Sequence, residues 1–309
     1  MDARQLGALA KEAVTAWIDD YAPSMGAALA YYSLFSIAPL LLIAITIAGF
    51  FFGAEAARGE VLGQMRSLLG EEGAVALEGL LKSASQPANS WIGMITGVVL
   101  LVVGATTVVT ELQTALDRIW RAPSPERKSG VLQWIRSRML SLGLVAGIGF
   151  LLMVSLVASA ALSALGKWWG GWFGEWKAVL ELVNQVVSFA LITGLFALVY
   201  KVLPRVSVAW RDVWVGSAVT SMLFAIGKFL IGYYLGTGGL TSGFGAAASV
   251  VVLLVWVYYS AQIFLLGAEF TWVHAHRFGS LRDTPKPSAA PQVPRRSQKP
   301  VAGIELPLS

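Results

Sequence analysis

The chain has 309 residues, of which 56% are hydrophobic and 13% charged, and its mean hydropathy is +0.66. A soluble domain carries about 25% charged residues, so this composition excludes a water-soluble shell and points to an integral membrane protein. The absence of cysteine excludes disulfides, thiolate catalysis and cysteine metal sites.

The residues predict an all-α integral membrane protein, a six-transmembrane helix bundle with interfacial amphipathic helices. Leu6, Leu9, Val14, Trp17 and Ile18 predict a short cytoplasmic surface helix within an N-terminal segment, 1–20. A membrane domain follows over 21–278, since a crossing helix needs about 20 apolar residues. Spans are predicted near Met25–Phe52, Trp91–Thr110, Met139–Leu165, Leu182–Leu203, Val213–Leu235 and Ala246–Trp272. The first is too long for a signal-peptide core and has no clear cleavage site, so it is expected in the mature protein. Between the first two spans, 61–84 repeats apolar residues at helical spacing and reads as one or two amphipathic helices on the outer face. Trp168, Trp172 and Trp176 are spaced four apart and suit an outer aromatic belt. The glycine-rich "GTGGLTSGFG" over 236–245 breaks the fifth helix from the sixth. The tail over 279–309 becomes rich in Pro, Ser, Lys and Arg and is expected to be disordered and cytoplasmic.

Basic residues set the orientation. Seventeen lie in the N-terminal segment, the 110–138 and 201–211 loops and the C-terminal stretch from Arg277 onward; five lie in the alternate connections, and Lys228 lies within a span. This split puts both termini in the cytoplasm and accounts for most of the net charge of +5. A nucleic-acid surface is the weaker explanation, because no basic-aromatic platform accompanies the charge.

Glu269 ends forty uncharged residues that begin after Lys228. If the last helix starts near Ala246, Glu269 lies about 35 Å along it, just past a hydrocarbon core of about 30 Å. One reading is an interfacial carboxylate that meets water or an arginine. The other follows from the helix face: Tyr258, Gln262, Glu269 and His276 fall on one side, and a polar stripe on a membrane helix belongs against the bundle or a wet cavity. The first span carries Tyr32, Ser36, Pro39 and Thr46 on one side, with a kink expected at Pro39. The fifth carries Ser217, Ser221 and Lys228. Lys228 either snorkels outward or faces a cavity that takes an anionic group. Glu111, Arg205 and Arg211 are candidate charges at the inner interface, the two arginines as partners for Glu269. Gly26 and Ala30 suit helix packing.

Enzyme chemistry finds no purchase. No phosphate-binding G-x-x-x-x-G-K-[ST] loop occurs. His274 and His276 are two apart and point to different helix sides. Glu269 and His276 are about 10 Å apart along the axis, too far to ligate one metal. No Ser-His-acid constellation can be assembled, and no cofactor is expected.

The stretches "SMGAALAYYSLFSIAPLLL" (24–42), "ELQTALDRIW" (111–120) and "GAAASVVVLLVWVYYSAQIFLLGAEFTWV" (245–273) resemble the signature stretches of the YihY/virulence factor BrkB family, with comparable spacing over residues 10–280. Matching positions include Tyr31, Tyr32, Ser33, Pro39, Glu111, Gly267 and Glu269; the chain departs at Thr271, where that family often has Asn. The resemblance implies a bacterial inner-membrane protein of about six helices, of a kind often described as transporters and once labelled ribonuclease. Function is therefore expected to be transport or translocation of a lipid or small molecule, through a polar cavity between the first, fifth and sixth spans. The expected partners are membrane lipids and an unidentified substrate, an anionic one being compatible with Lys228; a homo-oligomer is allowed. A non-transporting scaffold for envelope maintenance is the alternative, and a ribonuclease the least supported reading.

Overall fold

The computed structural model describes residues 3–84, 107–123, 177–237 and 248–283. The predicted third span, most of the second, the tryptophan belt and the tail beyond Asp283 lie outside the described residues, as does most of the glycine-rich break. All regular structure among the described residues is helical: α1 (Ala3–Asp19), α2 (Ala22–Phe52), α3 (Ala54–Ala84), α4 (107–119), α5 (Lys177–Val202), α6 (Trp210–Thr237) and α7 (Ala248–Arg277). Among the described residues, three helices are long and apolar enough to cross a membrane, over Gln185–Val202, Trp210–Tyr234 and Val250–Arg277.

Local chemistry sets several boundaries. α1 ends where Tyr21 takes a left-handed φ of 58°, and Pro23 lies in the first turn of α2, where its missing N–H costs no hydrogen bond. α2 continues as helix past Pro39 to Phe52. Gly53, at φ 88°, turns the chain into α3, because only glycine takes this conformation without Cβ strain. α3 is one 31-residue helix that starts at Ala54, seven residues before the predicted amphipathic segment. It folds back along α2 and also touches α6 and α7. Leu77 and Leu81 are buried there against Leu41, with Trp256 of α7 alongside.

α7 is the hub, packing against α1, α2, α3 and α6. Its C-terminal half is almost wholly buried from Ala261 to His276. The larger core gathers Leu9 and Ala13 of α1, Leu116 and Ile119 of α4, Tyr200 of α5, Val213 of α6 and Leu265 and Val273 of α7. Met222, Phe229, Leu230 and Tyr233 of α6 stand exposed in the isolated chain, as a lipid-facing flank requires.

Candidate functional site

Residues from three of the stretches singled out in the sequence meet around the C-terminal half of α7. The α6–α7 seam is set by small residues and hydroxyls. A Cβ at Gly267 would overlap the Thr220 hydroxyl and stand 2.8 Å from the Tyr200 oxygen; one at Gly216 would overlap Thr271. Tyr200 donates its hydroxyl to the Phe264 carbonyl at 2.7 Å and lies 3.1 Å from the Thr220 hydroxyl. Thr193 of α5 lies 3.0 Å from Ser221. Ser221 of the predicted stripe is thus engaged in helix pairing, and Ser217 is fully buried beside it.

The seam between α2 and α7 works the same way. The Gln262 amide sits where a side chain at Gly26 would be and donates to the Pro23 carbonyl at 3.4 Å. Ser36 is buried and its hydroxyl lies 3.2 Å from the Ser33 carbonyl. Tyr32 is half-buried and Tyr258 is 37% exposed.

α4 works as a clasp. Gln113 donates to the Leu203 carbonyl at 3.1 Å. Asp117 accepts the Arg205 backbone N–H at 2.8 Å and pairs with its guanidinium at 3.3 Å. The predicted partnership of Arg205 with Glu269 is therefore replaced by Arg205 with Asp117, because the 203–209 loop lies against α4. Burial pushes the Asp117 carboxyl up from its ordinary range, opposed by the Arg205 N–H and charge. Glu111 on the same helix is half-buried, and Arg211 is exposed at the start of α6. Asp212 beside it is buried and accepts both the N–H and the hydroxyl of Ser280 at 3.0 and 2.6 Å, with His274 at 3.7 Å.

At the end of the clasp the chain turns through Arg121, at φ 52°. Its guanidinium pairs with Asp20 and lies 5.4 Å from the Trp272 ring centre. Glu269 has no exposed surface, Asp20 only 3%, and the two carboxylates lie within hydrogen-bonding reach, in the field of Arg121. Sequence reasoning singled out Glu269 but not Asp20 or Arg121. The available signal for Asp20 was its position, the last charge before the uncharged stretch that begins at Tyr21; Arg121, among other charges in a polar loop, carried no such signal.

A groove of about 340 Å³ opens between α1, α6 and α7, lined by Val14, Trp17, Ile226, Leu230, Tyr259 and Gln262 among others. Of the predicted stripe residues Gln262 lines it; Ser217, Ser221, Lys228 and Glu269 do not. Lys228 lies next to the groove residue Gly227, with its ammonium 5.8 Å from the Phe229 ring centre.

The profile of the family described as Virulence factor BrkB matches residues 13–292. This chain belongs to the virulence factor BrkB family. Among similar BrkB-family relatives is a UPF0761 membrane protein of Pseudomonas paraeruginosa, 29% identical over 282 residues, covering 88% of this chain and 64% of the relative. One of Tolumonas auensis is 28% identical, covering 82% of this chain and 80% of the relative. One of Pseudomonas aeruginosa is 30% identical, covering 82% and 59%. The chain thus spans about three fifths of the Pseudomonas relatives' length. No solved structure matches.

Proposed function

We propose that this BrkB-family membrane protein is a six-span inner-membrane protein with both termini in the cytoplasm, and that it binds or translocates a lipid or similar amphipathic molecule. The groove between α1, α6 and α7 carries the reading. Its size falls within the roughly 300–1,000 Å³ of small-molecule sites, and its lining is apolar with few polar groups. Such a lining suits an acyl chain better than a polar solute, since every polar group left unpaired there would cost free energy. Gln262 and Tyr259 are the polar groups placed to orient it, and Lys228 is the cation in the adjoining stretch of α6 for an anionic headgroup. The scaffold reading keeps one specific support: the Ser221 and Thr220 hydroxyls join helices. Among the described residues no group of three His, Asp or Glu side chains supports the ribonuclease reading.

The test is co-purified lipid. Native mass spectrometry of the full chain should show phospholipid retained, and Ile226→Trp, which fills the groove, should release most of it. A photoactivatable acyl-chain probe should label peptides containing Leu223 and Ile263. Equal retention by both proteins, with labelling spread over the exposed flanks, would return the scaffold reading.

A further inference from the structure

We propose that Asp20 and Glu269 form a buried site for a single proton, with Arg121 as its fixed counter-charge. The argument begins with polar atoms that lack partners. One Asp20 oxygen is bonded to Arg121. The other Asp20 oxygen, both Glu269 oxygens and Arg121 Nε are buried with no hydrogen-bond partner. The two carboxylates are within hydrogen-bonding reach, yet ionised carboxylates only accept. A contact between two acceptors without a hydrogen is repulsive, and two negative charges facing one guanidinium leave a net charge of −1. Burying such a charge is costly. One proton taken from water removes both defects. It turns the acceptor–acceptor contact into an O–H···O bond and brings the cluster to neutrality, as in other carboxylate pairs that share a site.

The charges on the other packed elements are engaged elsewhere or exposed: on α4, Asp117 pairs with Arg205, and Arg118 is exposed over the Tyr21 ring. α2 contains no Asp, Glu, Lys or Arg. On α1, Asp19 adds negative field, while Glu12 pairs with Arg277 of α7. His274 faces Asp212 of α6, and His276 of α7 is engaged with the Trp272 carbonyl. On α3, Arg66 pairs with Glu71 at an exposed position. Arg211 and Lys228 are the other cations of α6; Arg211 is exposed. A metal cation is disfavoured because the guanidinium already occupies one Asp20 oxygen, and among the described residues no three His, Asp or Glu side chains are grouped to hold one.

The proposal makes a charge-count prediction that does not depend on what occupies the groove. The full chain in lipid nanodiscs is examined by infrared difference spectroscopy for the carbonyl stretch of a protonated carboxylic acid that shifts in heavy water. The wild-type protein should show it at neutral pH. Glu269→Gln and Asp20→Asn should each abolish it, because the remaining carboxylate and Arg121 form a neutral pair without a proton. Arg121→Gln should instead increase it about twofold, since both carboxylates must then be neutralised. Absence of the band from the wild-type protein, or its survival in Glu269→Gln, overturns the proposal. So does loss of the band on adding sodium or potassium at constant pH, which would assign the site to an alkali cation. The wild-type and Glu269→Gln spectra keep the question decidable if Asp20→Asn or Arg121→Gln fails to fold.

Discussion

A methyl group at Gly267 would overlap the Thr220 hydroxyl and crowd the phenolic oxygen of Tyr200. Overpacking of this kind costs about 1–3 kcal/mol, so Gly267→Ala should lower the thermal midpoint in detergent. Combining it with Thr220→Ala should recover part of the loss, because the overlapping atom is gone; strict additivity in that double-mutant cycle would show that the two residues do not meet. The Asp20–Arg121 pair belongs to a different class of contact. Both side chains are less than a tenth exposed, and removing one partner of a buried pair costs about 3–5 kcal/mol. Arg121→Ala should therefore be among the most destabilising single changes in the chain. The Arg205–Asp117 pair is half-exposed on the arginine side, so Arg205→Ala should cost no more than about 1 kcal/mol. Because burial raises the Asp117 carboxyl, the folded state holds that proton more tightly than the unfolded chain. Its stabilisation is complete below the ordinary carboxylate range and declines as pH rises through the raised value. Asp117→Asn should flatten that part of an unfolding-versus-pH profile, and an unchanged slope would count against this assignment.

α1 shows how one helix answers to two surroundings. Leu9 and Ala13 are buried in the core, while Leu6, Val14 and Ile18 stand exposed on an adjoining strip of the same helix. Lys11, seven residues before Ile18, lies at the edge of the same strip, and Glu12 pairs with Arg277 of α7. A helix with one face on protein and an open apolar face edged by a cation suits the membrane surface. A spin label at Ile18→Cys, in a chain with no native cysteine, should be relaxed by lipid-dissolved oxygen more than by an aqueous nickel reagent. The opposite preference would remove α1 from the bilayer surface. α4 is the matching clasp: Gln113 and Asp117 hold the 203–209 loop while Arg121 reaches α1. One short helix thereby ties the N-terminal segment to the connection between α5 and α6.

At the scale of the molecule, α7 packs on α1, α2, α3 and α6 among the described residues, which explains why its inner half is buried although Gln262, Glu269 and His276 interrupt its apolar surface. Such a helix is either buried in protein or facing lipid, and periodicity alone does not separate the two. The orientation proposal belongs to this scale too. Reporter fusions after Arg127 and after Arg282 should read cytoplasmic, and a fusion within 167–176 should read periplasmic. A periplasmic signal at Arg127 would overturn the inside-positive arrangement derived from the basic residues.

Composition alone determined that the chain needs a membrane, because its apolar content exceeds what a water-exposed surface tolerates. The bounds of α5, α6 and α7 were legible within a few residues, since charge-free runs and their Gly, Pro or charged edges are local signals. The resemblance carried by 24–42, 111–120 and 245–273 was legible as well, and the family match agrees with it. What only the tertiary structure decided is which polar residues meet. Helical spacing put Glu269, Gln262 and Tyr258 on one face, but gave no information on the element opposite. Packing sent Gln262 to Pro23, Ser221 to Thr193 and Arg205 to Asp117. It also brought Asp20, Arg121 and Glu269 together from 249 residues of sequence separation, and a contact of that range leaves no periodic trace in the chain. The physical reason is that a side chain's face follows from its own helix, whereas its partner follows from how several helices fill space together.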